Sequence, residues 1–128
     1  MATLTVGLNI NSLDVLSTNL GLSLQKNITV DSGNIIRAKV KGTAADVANQ
    51  CSDRAYLYIK NLELELEKYI YIHNDTDTGE VAKIGGGEFA FIPLNPAKKY
   101  EVYGTIVDTM IEYAVFGNDN SANQYGGS

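Results

Sequence analysis

Three consecutive glycines, Gly85-Gly86-Gly87, precede the aromatic run Phe89-Ala90-Phe91-Ile92-Pro93. Such a triplet can bring backbone close to a phosphate, but a phosphate cradle also needs a helix N-terminus directly after it. Here the downstream residues are aromatic and β-branched and end in proline, with no Lys-Ser or Lys-Thr pair. The triplet therefore reads as a turn or bulge whose glycines supply positive φ. Phe89 and Phe91 then share one strand face and are expected in the core. A second cluster, Asp75-Thr76-Asp77-Thr78-Gly79, resembles the start of a calcium loop. Counted from Asp75, its glycine is fifth rather than sixth, and the twelfth residue is Gly86 rather than glutamate. Asp, Thr and Gly also form ordinary turns, and a hairpin turn is the simpler reading.

The inventory for nucleophilic chemistry is small. Cys51 and His73 are the only residues of their kinds and lie in unrelated segments. No triad can be assembled from them, and a three-histidine zinc site is impossible. Cys51 reads as a buried or incidental thiol, and a single cysteine excludes an intramolecular disulfide. Glu63, Glu65 and Glu67 fall at same-face strand spacing, but nothing around them suggests an enclosed pocket that would raise a carboxyl pKa. No catalytic residue, metal or cofactor is expected, and the chain reads as a non-enzyme.

The elements that position these residues are strands. The 128-residue chain has the length of one domain. Its formal charge of −5 argues against a general nucleic-acid binder, which needs a dense basic surface. No basic–apolar–small leader and no apolar run of membrane-spanning length is visible. Synthesis in a cytoplasm and use without membrane insertion are therefore expected.

Residues 1–24 alternate in pieces (Leu4, Val6, Leu8, Ile10; then Leu20, Leu22, Leu24), with Asp14 the only charge. They read as an N-terminal arm or first strands able to pair with a neighbouring subunit. Ile28–Val30 and Ile35–Val40 flank Asp31-Ser32-Gly33-Asn34 and predict a hairpin. The small, polar stretch "TAADVANQCSD" predicts a helical turn or an irregular crossover. "LELELEKYIYI" keeps period two over eleven residues, 62–72, and predicts strand structure with the glutamates on a solvated face. Two more strands are expected either side of Asp108-Thr109. Residues 118–128 show no apolar periodicity and read as a flexible tail. The expected whole is all-β: an antiparallel β-sandwich over 25–117, jelly-roll-like or Ig-like, with extended N- and C-terminal arms.

The segments "AYLYIKN", "KYIYIHND", "AKIGGGEFAFIPL", "YEVYG" and "EYAVFG", spanning residues 55–117, resemble small virion structural proteins of tailed bacteriophages. A looser likeness lies in "LSLQKNITVDSGNIIRAKV". The resemblance implies a β-sandwich on the particle, foremost a capsid decoration or cement protein that binds and stabilises the outer head surface. Its implied partners are the major capsid protein and copies of itself, as in a trimer. Leu4, Val6, Leu8 and Ile10 in the arm and Tyr125 in the tail are the candidate contacts. The alternatives are a tail- or fibre-associated structural protein, or a module that binds glycans or a host surface through exposed tyrosines. The absence of Trp weakens the glycan reading.

Overall fold

The computed structural model describes residues 2–14, 20–30, 33, 35–48, 54–74, 80–95, 97–105 and 108–117. Among them there are ten strands and no helix. The chain divides into two units, Met1–Val30 and Asp31–Ser128. The first is a hairpin of β1 (Ala2–Ser12) and β2 (Leu20–Val30), antiparallel and in unbroken register from Ala2 opposite Val30 to Ser12 opposite Leu20. β2 runs without a break through residue 24.

The second unit is a two-sheet antiparallel sandwich. Its strands are β3 (Ile35–Val40), β4 (Ala45–Ala48), β5 (Ala55–Asn61), β6 (Ile70–Asn74), β7 (Glu80–Ile84), β8 (Phe89–Leu94), β9 (Tyr100–Gly104) and β10 (Thr109–Phe116). One sheet has the order β3-β10-β5-β8 and the other β4-β9-β6-β7. The first strand of the unit pairs with the last, the second with the seventh, the third with the sixth and the fourth with the fifth. That nested pattern, a long hairpin folded over into two sheets, is jelly-roll connectivity. It decides between the two sandwich types the sequence left open.

Alternation along the strands builds the core. Leu57 and Ile59 on β5, Ile111, Tyr113 and Val115 on β10, and Ile92 and Leu94 on β8 face inward from one sheet. Ile70 and Ile72 on β6, Val102 on β9, Val47 on β4 and Ile84 on β7 meet them from the other. The intervening residues, such as Tyr56, Tyr58 and Lys60, point outward.

Several expectations fail for identifiable reasons. Leu62–Tyr69 is not a strand: β5 ends at Asn61 and β6 begins at Ile70. The fully buried Asn61 turns the chain, its Nδ2 donating to the carbonyls of Lys68 (2.6 Å) and Ile84 (3.2 Å). Its Oδ1 accepts the Glu63 N–H at 3.0 Å. The Glu63 carboxylate accepts the Met110 N–H at 2.8 Å and pairs with Lys68 Nζ at 3.1 Å. The leucines of "LELELE" thus share no buried face, and Leu64 is 99% exposed.

Residues 28–40 do not form a hairpin, since β2 pairs with β1 and β3 with β10. Ala45–Ala48 is a strand against β9 rather than a helical turn, with a register shift between Asp46 and Ala48. Phe89 is 66% exposed and Phe91 half-buried on the outer face, while Ala90, Ile92 and Leu94 line the core. The two phenylalanines do share a face, but it is not the core face.

Candidate functional site

Residues directly opposite in an antiparallel pair lie on the same face. In the hairpin, Leu4 is opposite Ile28, Val6 opposite Lys26, Leu8 opposite Leu24 and Ile10 opposite Leu22. The candidate contacts Leu4, Val6, Leu8 and Ile10 are therefore brought together, and β2 adds Ile28, Leu24 and Leu22 to them. The other face carries Thr3 opposite Thr29, Thr5 opposite Asn27, Gly7 opposite Gln25 and Asn9 opposite Ser23. All are uncharged and polar or small, and the Thr5 hydroxyl donates to Asn27 Oδ1 at 3.0 Å.

The hairpin is thus a two-sided ribbon, about 36 Å long at ~3.3 Å per residue. Lys26 is the only charge in its two strands. On the apolar side Leu8, Ile10, Leu22 and Leu24 are 42–61% exposed. Val6, Leu8, Leu24, Gln25 and Lys26 border a shallow depression of about 300 Å³. The shared parity of Leu22 and Leu24 was visible in the sequence. What was missing was the register that sets them beside Ile10 and Leu8.

The outer faces of the sandwich differ in character. On β6 and β9, Tyr71 stacks on Tyr103 with ring centres 5.1 Å apart, and His73 meets Tyr103 edge-on. Lys83 on β7 sits over the Tyr69 ring at 4.1 Å. The Tyr103 hydroxyl donates to Glu80, which pushes the phenol up to about 12 and holds the Glu80 carboxyl below its ordinary range. His73 Nε2 lies 3.5 Å from Glu101.

On the opposite sheet Tyr58 donates to Glu112 at 2.7 Å, and Arg37 pairs with the same carboxylate at 3.2 Å. The Tyr58 hydrogen bond, with help from Arg37, lowers the Glu112 pKa. Burial, then that hydrogen bond, raises Tyr58. Tyr56 stacks on Phe91, with Arg54 over the Tyr56 ring at 5.7 Å.

Glu63 is also shifted down, chiefly because its carboxylate accepts the Met110 N–H. Glu63, Glu80 and Glu112 all move away from the neutral range in which a general acid works. Each is held by hydrogen bonds that fix strands and turns. Among the described residues no group of three or more His, Cys, Asp or Glu is placed to hold a metal ion. Cys51, Asp75, Asp77 and Tyr125 lie outside the described residues.

The glycine triplet has a structural task. Gly87 has φ +83°, while a Cβ on Gly86 would lie 2.2 Å from the Glu65 carbonyl oxygen. The "LELELE" turn packs its backbone directly on the triplet, and the Gly87 N–H donates to the Asn61 carbonyl at 3.0 Å.

The surface that stands out is therefore the apolar side of the hairpin. No family model matches the chain, and neither a curated protein nor a solved structure does.

Proposed function

We propose that the chain is a non-enzymatic structural protein of a tailed-phage virion, a decoration or cement protein that binds the outer head surface and stabilises it. Its hairpin is the assembly element. The observation that carries this reading is the apolar hairpin face, left open to solvent along a ribbon with a single charge. Exposed apolar strips of this kind mark interaction sites. The sequence likeness over residues 55–117 supplies the particle context. Jelly-roll connectivity also occurs in viral capsid domains, which adds only an analogy of fold.

The partners in this reading are the major capsid protein and further copies of the chain, reached through Leu4, Val6, Leu8 and Ile10. Phage heads carrying the protein are expected to release DNA at a higher temperature than heads stripped of it. Equal release temperatures would remove the cement role, and label found at the tail would move the protein there.

A second reading, a glycan- or host-surface-binding module, is favoured by the outward cluster of Tyr69, Tyr71, Tyr103 and Lys83. A glycan array with no signal would dismiss it.

A further inference from the structure

We propose that the apolar face of the β1–β2 hairpin is covered by the same face of a second copy, two hairpins stacking into a four-stranded, two-layer interface. The inference rests on the assembly part of the reading above and is independent of capsid binding.

A sheet that is apolar on one side is stable when a second layer covers that side. The jelly roll supplies its own second layer. The hairpin has two strands only, and its apolar side is open. Whatever covers it must offer a twisted, largely apolar strip about 36 Å long and about 10 Å wide. A ribbon of the same length and twist fits, because aligned sheets pack roughly 10 Å apart with their strands about 30° from parallel.

Charge does not oppose a second copy at the hairpin surface itself. Lys26 and Asp14 cancel within residues 1–30, so the net charge of −5 lies entirely in residues 31–128. Two sandwiches repel each other, whereas two hairpins do not.

The position of Lys26 is compatible with a two-fold axis running along the strands. Such an axis sets β1 of one copy over β2 of the other, so the Val6–Lys26 pair meets its own inverse. Each Lys26 then lies over the partner's Val6, with the two ammonium groups on opposite edges of the ribbon. From there each side chain can reach water while its methylenes cover apolar surface. The same operation seats Leu24 over the partner's Leu8, at the depression that Val6, Leu8 and Leu24 border.

Two such strips bury roughly 700–1,000 Å², the low end for a specific contact, so the pair forms at high local concentration and separates on dilution.

Sedimentation of the full chain over a wide concentration range tests this. The expected mass rises from the 13.9 kDa monomer towards a dimer. Each changed residue occurs twice in a two-fold interface. Leu8→Lys or Leu24→Lys is therefore expected to weaken the pair by at least roughly 100-fold. Thr5→Lys, on the opposite face, is expected to leave it unchanged.

The unfolding midpoint of each variant reports whether the sandwich is intact. If a lysine variant does not fold, Leu24→Ser is the milder substitute. A monomer at every concentration overturns the proposal, as does a mass closing at three copies. Equal loss in Thr5→Lys overturns it too. A dimer that does not bind heads would retire the capsid reading alone, and a monomer that binds them would retire this one alone.

Discussion

Leu24 and Leu57 are both strand leucines at alternating positions, yet Leu24 is 61% exposed and Leu57 is completely buried. The two units place the same kind of residue in opposite surroundings. In the jelly roll every inward side chain finds a facing sheet, so alternation becomes a core. In the hairpin the alternation is as regular, but the sheet has two strands in one layer and Leu8, Ile10, Leu22 and Leu24 stay exposed. A period of two shows that one face is apolar, and the number of layers decides whether that face is buried. An uncovered face therefore marks either a weak element or an assembly site. The eleven-pair register and the near absence of charge favour the second.

Truncating both leucines puts the contrast between them to its largest test. Leu57→Ala is expected to destabilise the protein by about 2–5 kcal/mol, through lost burial and a residual cavity. Leu24→Ala is expected to cost less than about 0.5 kcal/mol at dilution, where the hairpin stands alone. Denaturant unfolding at low protein concentration measures both. Similar losses would mean that the hairpin face is buried after all.

Next in size are the glycines where the "LELELE" turn meets the triplet. Gly86→Ala is expected to cost about 1–3 kcal/mol, because its Cβ would meet the Glu65 backbone. Gly87→Ala meets open space and is expected to cost about 1 kcal/mol, from its left-handed backbone alone. Thermal midpoints in this order would sharpen the claim that the triplet serves close packing as much as turning.

Acid sensitivity separates the units further, since Glu63, Glu80 and Glu112 all belong to the sandwich. Their folded pKa values lie below the ordinary 4.5. Their stabilisation is therefore fully present above that value and is lost as pH falls through the lower folded values. Unfolding midpoints should drop below about pH 4.5, and Glu112→Gln should flatten part of that drop. At the alkaline end Tyr103 should ionise near 12, and Tyr103→Phe should remove that component from the ultraviolet titration. The associated stability is present below the ordinary 10.0 and is lost as pH rises through the folded value.

The smallest effect is expected at Leu64. As a fully exposed turn residue, Leu64→Ser should change stability by no more than about 0.5 kcal/mol. A large loss would restore the strand that its alternation suggested.

Much of this molecule was legible in its residues. Short alternating runs punctuated by turn formers require antiparallel sheets, and Phe89-Ala90-Phe91-Ile92-Pro93 after the glycines excludes a helix there. Leu4, Val6, Leu8 and Ile10 could be placed on one face before any partner strand was known. Three things were not legible. Glu63 and Leu64 continue a perfect alternation, but the buried Asn61 has already turned the chain by bonding to Lys68 and Ile84. Phe89 and Phe91 look like core residues, yet the parity of β8 is set by Leu94 and Ile92 facing Ala55 and Leu57. The pairing of β3 with β10 joins segments some seventy residues apart, as in Arg37 opposite Glu112.

Local backbone preference and alternation are properties of neighbouring residues, so the residue order alone specifies an all-β class and which side chains share a face. Which faces are covered, where strands stop and which strands meet is set by the folded chain as a whole. Those outcomes depend on hydrogen bonds and packing between residues far apart in the chain.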